Sequence, residues 1–214
     1  MPLYKTIAVN EQTKVLIWKI EESLAELSNE ILLTPSNQQR VAGMKSELHQ
    51  RGFLSVRHLL AEVGYTDQDL FYDSYGKPHL NDGTFISITH SFTFSAIIVS
   101  TTLDVGIDVE KQREKIVRIA HKFTPIEEYK TLANHDAMVR KLTIVWGAKE
   151  SIYKIHKSEG IAFLDHIYIE DFHFDAEETS GTVRFNNETS HYELSFFEFE
   201  GFTCVYGYEL KALA

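Results

Sequence analysis

The sequence predicts an α+β fold made of two halves of similar plan, and three observations carry that expectation. Predicted elements run strand, helices, strands, and then strand, helices, strands again. The chain has 214 residues, enough for one large domain or two of about 100 residues each. Leu103-Asp104 falls between two strand-like runs where the pattern restarts, so the halves are 1–103 and 104–214. No residue-level repeat relates them. The likeness is one of pattern only.

Lys14 to Ile20 (KVLIWKI) is β-branched and aromatic and predicts a strand. Pro35-Ser36 predicts a helix start with Ser36 as cap. From there to Val63 the apolar residues Val41, Met44, Leu48, Leu59, Leu60 and Val63 recur at helical spacing. Gly43 and Gly52 weaken the case for one unbroken helix. Tyr75-Gly76-Lys77-Pro78 predicts a turn, with Gly supplying an unusual backbone angle and Pro fixing the next. Strands are expected at Thr84–Thr89, Phe94–Ser100 and Val105–Val109. Helices are expected over Lys115–His121, Pro125–Leu132 and Ala137–Ile155. The tail alternates as a meander, with strands at 166–172, 181–186, 191–199 and 202–210. Cys204 sits in an apolar strand and should pack in a core. The aromatic residues around it are expected to be sheet packing.

Composition narrows the class of function. The net charge is −10, against a phosphate-backbone partner, which demands a basic footprint. No apolar run approaches the ~18 residues of a membrane helix, and the first residues do not form a secretory signal. A cytoplasmic protein is expected. One cysteine cannot form an internal disulfide, and no zinc-ligand spacing is present. Charge is uneven. Lys111–Lys122 holds five basic residues against one acid, and Glu170–Glu178 holds five acids and no Lys or Arg.

Three constellations carry chemistry. In Gly106-Ile107-Asp108-Val109-Glu110, strand alternation puts Asp108 and Glu110 on one face, about 7 Å apart. Like charges at that distance repel by roughly 2 kcal/mol at an effective dielectric near 20. A cation between them removes that cost, and Mg²⁺ prefers such oxygens. The alternative is a strand end with solvated acids. In Trp146-Gly147-Ala148-Lys149-Glu150-Ser151-Ile152-Tyr153-Lys154, a helix aligns Trp146, Glu150 and Lys154 along one stripe. The alternative there is an ordinary Glu150–Lys154 surface pair. In Ile88-Thr89-His90-Ser91, a histidine at a strand end can donate to a phosphate, or serve the structure alone.

Taken in order with Gly76-Lys77-Pro78 and with Phe123 followed by Glu127 or Glu128, these motifs resemble the surfactin-synthetase type of 4'-phosphopantetheinyl transferase. The resemblance is firm from about residue 75 to 165 and looser at both ends. It implies a pseudo-twofold pair of α/β halves with coenzyme A in the cleft between them. It implies transfer of the 4'-phosphopantetheine group from coenzyme A to a serine of an apo acyl or peptidyl carrier protein, releasing 3',5'-ADP, by a Mg²⁺-dependent monomer. Asp108, Glu110 and Glu150 match the family's metal-binding acids. Glu150 also matches its proposed general base, and Lys154 its phosphate-contacting lysine. Lys77 and His90 match positions that contact the coenzyme A phosphates. Thr89 replaces a more usual serine but keeps the hydroxyl, so a hydrogen bond to a coenzyme A phosphate is still expected of it. Arg40, Arg51 and Arg57 are candidates for the 3'-phosphate, which would assign that phosphate to the N-terminal half and metal and catalysis to the C-terminal half. Acidic carriers would be repelled at long range by the −10 charge, so the basic 111–122 segment is the expected docking face. The alternative activity is a relative that binds coenzyme A or a carrier without transfer. A further rival, another Mg²⁺-dependent nucleotide enzyme, is disfavoured because no glycine-rich phosphate loop is present.

Overall fold

The computed structural model describes residues 3–29, 31–125, 132, 134–156 and 158–210. These form two compact units, Met1–Leu103 and Asp104–Ala214. Each mixes helices with antiparallel sheet, so the fold is α+β.

The first unit opens with β1 (Leu3–Asn10) and β2 (Thr13–Lys19). Its helices are α1 (Leu24–Asn29), α2 (Pro35–Gly43) and α3 (Glu47–Glu62). A small hairpin of β3 (Leu70–Tyr72) and β4 (Pro78–Leu80) follows, then β5 (Phe85–Ser91) and β6 (Phe94–Ser100). The main sheet has the order β1-β2-β6-β5. Leu54, Leu59 and Leu60 of α3 pack on Leu16, Trp18, Ile86 and Ile97 of the sheet.

Several details differ from expectation. β1 was not anticipated, because only Leu3 and a few alternate positions of this edge strand are even half-buried. α1 was also missed, although Ser23-x-x-Glu26 is a visible capping box. The Ser23 N–H donates to Glu26 Oε2 at 2.8 Å, and the Glu26 N–H donates to Ser23 Oγ at 3.3 Å. The cap of α2 is Thr34, whose hydroxyl accepts from the Asn37 N–H at 3.4 Å, with Pro35 in the first turn. Ser36 is therefore inside the helix. The helical run breaks after Gly43 but continues through Gly52. Gly76, with φ +80°, makes the turn between β3 and β4.

The second unit has the sheet order β7-β11-β10-β9-β8. Its strands are β7 (Val105–Lys111), β8 (Ile167–Ile169), β9 (Glu178–Phe185), β10 (Glu188–Phe199) and β11 (Phe202–Leu210). The last four form the anticipated meander, and β7 closes onto β11. The helices are α4 (Lys115–Ile119), α5 (His135–His156) and the single turn α6 (Phe163–His166). The helix expected over Pro125–Leu132 falls largely outside the described residues. Ile144, Ala148 and Ile152 of α5 pack on Tyr192, Leu194 and Val205. Cys204 is buried in β11. Among the described residues no helix is long and apolar enough to cross a membrane.

One buried ion pair ties the first unit together. Arg57 Nε donates to Asp67 Oδ1 at 2.9 Å, with side-chain exposures of 2% and 0%. The guanidinium lies 3.4 Å from the Phe53 ring centroid. Asp67 also accepts from the Thr34 N–H and from Asn37 Nδ2, so it joins α3 to the start of α2. Burial alone would raise the Asp67 carboxyl, but the bonds from Asn37, Thr34 and Arg57 outweigh it and hold the pKa below the usual aspartate range. Asp67→Ala leaves a buried guanidinium uncompensated and should cost about 3–5 kcal/mol in denaturant unfolding. Because the folded pKa is depressed, that gap should be full at neutral pH and close as the pH falls through the lowered pKa.

Candidate functional site

The acids of the second unit sit on β7, the edge strand of its sheet. Asp108 pairs in register with Val205 of β11 and Glu110 with Thr203. Asp108 is 8% exposed, so it is not a solvated strand end. Its Oδ1 accepts from Lys154 Nζ at 3.0 Å, and the same ammonium donates to the Ile107 carbonyl at 2.7 Å. Glu110, the next residue on that face, is more exposed and pairs with Arg113 at 3.0 Å.

Two glycines let α5 lie directly on this strand. A Cβ at Gly106 would stand 2.0 Å from the Ser151 carbonyl oxygen. A Cβ at Gly147 would stand 2.8 Å from Val205 Cγ2 and 3.7 Å from Asp108 Oδ2. The helix is thereby held against β7 and β11, and Glu150 and Lys154 reach the acids. Burial raises the Glu150 pKa, Asp108 and Glu110 raise it further, and Lys154 opposes them. Lys154 turns to Asp108 rather than closing the i,i+4 surface pair with Glu150. Four sequence candidates, Asp108, Glu110, Glu150 and Lys154, therefore act on one another electrostatically.

Among the described residues, no three His, Cys, Asp or Glu side chains are gathered into a closed metal cage. Mg²⁺ seldom needs one, because it takes one or two carboxylates and completes its shell with waters and substrate phosphates. Asp108, Glu110 and Glu150 offer oxygen donors of the type such a cation takes, and their mutual influence is seen in the raised Glu150 pKa.

Lys149, between Trp146 and Glu150, has a different role. It is 2% exposed, and its ammonium donates to the carbonyls of Phe123 and Phe163, the latter at 2.8 Å. Sequence reasoning gave it no separate role, yet its spacing from Leu142, Val145 and Ile152 placed it on the apolar side of the helix. Trp146 stacks edge-on against Phe123, with centroids 5.1 Å apart, and leans on Phe163 at 5.5 Å. Glu127 and Glu128 lie outside the described residues. A cleft of about 210 Å³ borders Glu110, lined by Lys111, Arg113, Lys115, Ile116 and Trp146 among others.

The remaining candidates belong to the first unit. His90 is exposed at the end of β5 and packs over Gly52 of α3, where a Cβ would meet its Cδ2 at 2.9 Å. His49, which carried no sequence signal, has its ring centroid 6.4 Å from that of His90. Arg51, beside Gly52, donates to the Ile20 carbonyl at 3.1 Å. Thr89 is buried and, by strand alternation, faces away from His90. Lys77 is 8% exposed, and its N–H donates to Asp73 Oδ1 at 2.9 Å. Arg40 is exposed and lies over the rings of Phe53 and Tyr72 at 5.4 and 5.7 Å. Arg57 has no surface to offer a soluble phosphate. Its guanidinium is committed to Asp67 and the Phe53 face, so it does not serve as a ligand for the 3'-phosphate.

The second unit is thus an α+β body whose edge strand and crossing helix pool three carboxylates and a lysine. Residues 104–209, nearly all of that unit, match the model of the ACPS family, the 4'-phosphopantetheinyl transferase superfamily. The match supports phosphopantetheine transfer as the class of activity, with coenzyme A as donor and a carrier protein as acceptor. No curated protein matches the chain.

Two outcomes follow from this geometry. Gly52→Ala should displace the His90 ring, seen as a changed His90 imidazole resonance in NMR, with about 1–3 kcal/mol lost to overpacking. Glu150 has a raised folded pKa, so its ionisation opposes folding above that pKa. Glu150→Gln should therefore raise the unfolding midpoint of the metal-free protein at neutral pH. The gain should vanish below the ordinary glutamate range, as read by thermal unfolding across pH.

Proposed function

We propose that the protein transfers 4'-phosphopantetheine from coenzyme A to a serine of an apo carrier protein, with Mg²⁺, as a transferase of the surfactin-synthetase type. The observation that carries this reading is the close approach of α5, with Glu150 and Lys154, to Asp108 on β7, where Lys154 contacts Asp108, in the segment that matches the transferase superfamily.

Phosphoryl transfer depends on alignment and on neutralising charge. Asp108, Glu110 and Glu150 would hold Mg²⁺, which supplies neutralisation of the diphosphate when bound. The carrier serine oxygen forms a bond to the phosphorus that bears the pantetheine. The bond from that phosphorus to 3',5'-ADP breaks, and the nucleotide leaves with the electron pair. Glu150 accepts the serine proton, and its raised pKa makes it a stronger base than an ordinary glutamate. Lys154, already against Asp108, offers an ammonium to the growing negative charge. In the first unit, His90, Lys77, Arg51 and Arg40 are assigned to the coenzyme A phosphates, with the 3'-phosphate falling to the two arginines. Thr89 supports this strand from its buried side. The basic segment that follows β7, together with the cleft beside Glu110, is assigned to the acidic carrier.

Asp108→Asn keeps the size of the side chain and its bond to Lys154 but removes the charge. It should lower transfer by about a hundredfold or more, with circular dichroism unchanged. The assay is incubation with coenzyme A, Mg²⁺ and candidate apo carriers, read as gain of one phosphopantetheine by mass spectrometry. Full activity in this variant would refute the assignment, and no gain on any carrier by the unaltered protein would refute the reading.

A further inference from the structure

We propose that Asp73 is a positioning residue for coenzyme A: its carboxylate fixes the backbone of the 73–77 turn and so sets where Lys77 meets the ligand. This rests on the assignment of Lys77 to the coenzyme A phosphates. Between β3 and β4 the chain reverses over Asp73-Ser74-Tyr75-Gly76-Lys77. Backbone bonds close the reversal. The Asp73 N–H donates to the Lys77 carbonyl at 3.0 Å, and the Gly76 N–H donates to the Asp73 carbonyl at 3.0 Å. The Asp73 side chain adds two more, because Oδ1 accepts from the Tyr75 N–H and from the Lys77 N–H, both at 2.9 Å. One oxygen thus links the start of the turn to its end.

The other oxygen is held too. His79 Nε2 meets Asp73 Oδ2 at 2.9 Å, and the imidazole stacks on the Phe71 ring with centroids 5.3 Å apart. Residues from both strands of the hairpin therefore brace the carboxylate. The bonds from His79, Lys77 and Tyr75 lower the Asp73 pKa to about 2, so the group keeps its charge at any working pH. Little else shapes the turn. Tyr75 is 69% exposed, so packing gives it slight support. Gly76, at φ +80°, is free to leave that conformation once the bonds are gone. Lys77 is only 8% exposed, so its side chain has little freedom to correct for a displaced backbone.

The test is coenzyme A binding by titration calorimetry with Mg²⁺ present. Asp73→Ala should weaken binding about tenfold, the scale of one or two lost hydrogen bonds. Asp73→Asn keeps the oxygen that accepts from the two amides and should recover most of that loss. Asp69→Ala breaks bonds of the same kind, from the Thr66 N–H and hydroxyl at 2.7 Å, in the loop that enters β3. It should change the affinity by less than about twofold. In a Lys77→Ala background Asp73→Ala should add little, because a residue acting through Lys77 then has nothing to position. Unchanged binding in Asp73→Ala, no recovery in Asp73→Asn, an equal loss in Asp69→Ala, or a full effect of Asp73→Ala without Lys77 would each overturn this inference while leaving the coenzyme A assignment standing. Unchanged binding in Lys77→Ala, or no binding by the unaltered protein, would overturn that assignment as well.

Discussion

The arrangement of the second unit depends on how closely α5 lies on β7 and β11. Helix backbone and strand backbone meet where Gly106 faces the Ser151 carbonyl, and the helix rests on Val205 where Gly147 has no side chain. A single methyl at either point would push the helix outward. Glu150 and Lys154 are carried on that helix, and Asp108 is carried on that strand. Their electrostatic coupling is therefore a consequence of two hydrogens standing where other residues have carbon. Ile144, Ala148 and Ile152 fill the interface between these contacts, and the buried Lys149 ammonium ties the helix to the Phe123 and Phe163 backbones. Rigidity beneath the acids comes from that packing.

Like charges gathered at one place must be offset, and the chain offsets them with its own cations. Lys154 covers Asp108, Arg113 covers Glu110, and Glu150 responds by holding its proton more tightly. The first unit solves a different problem. There Arg57 and Asp67 are placed out of solvent, and the many bonds converging on Asp67 fix the start of α2 against α3. The Arg113–Glu110 pair is partly exposed, whereas the Arg57–Asp67 pair is part of the core.

Much of this was legible before any coordinates. The motif strands and α5 appear where periodicity put them. Two motif glycines carried more than was read from them. Gly106 and Gly147 mark close approach, and a glycine inside a regular element is the only sequence trace of it. Charge partners were not legible, because they depend on contacts between elements. Arg57 looks like any helical arginine until Asp67, ten residues on, folds beneath it. Arg113 looked like one member of a basic run until its reach to Glu110 was visible. Thr89 and His90 are sequence neighbours, but the strand sends them to opposite faces, which any argument from motif proximity alone overlooks.

The burial of Cys204 has a chemical consequence. It is the only cysteine of the chain, and it lies within β11 with no solvent exposure. A thiol in that position is out of reach of small disulfides. Coenzyme A and its pantetheine arm end in a thiol of their own. A protein working on them in air would be open to mixed-disulfide capture wherever a cysteine met solvent. Here the sulfur is walled off by the sheet, so such adducts have no place to form, and the chain stays chemically inert toward the group it is proposed to move.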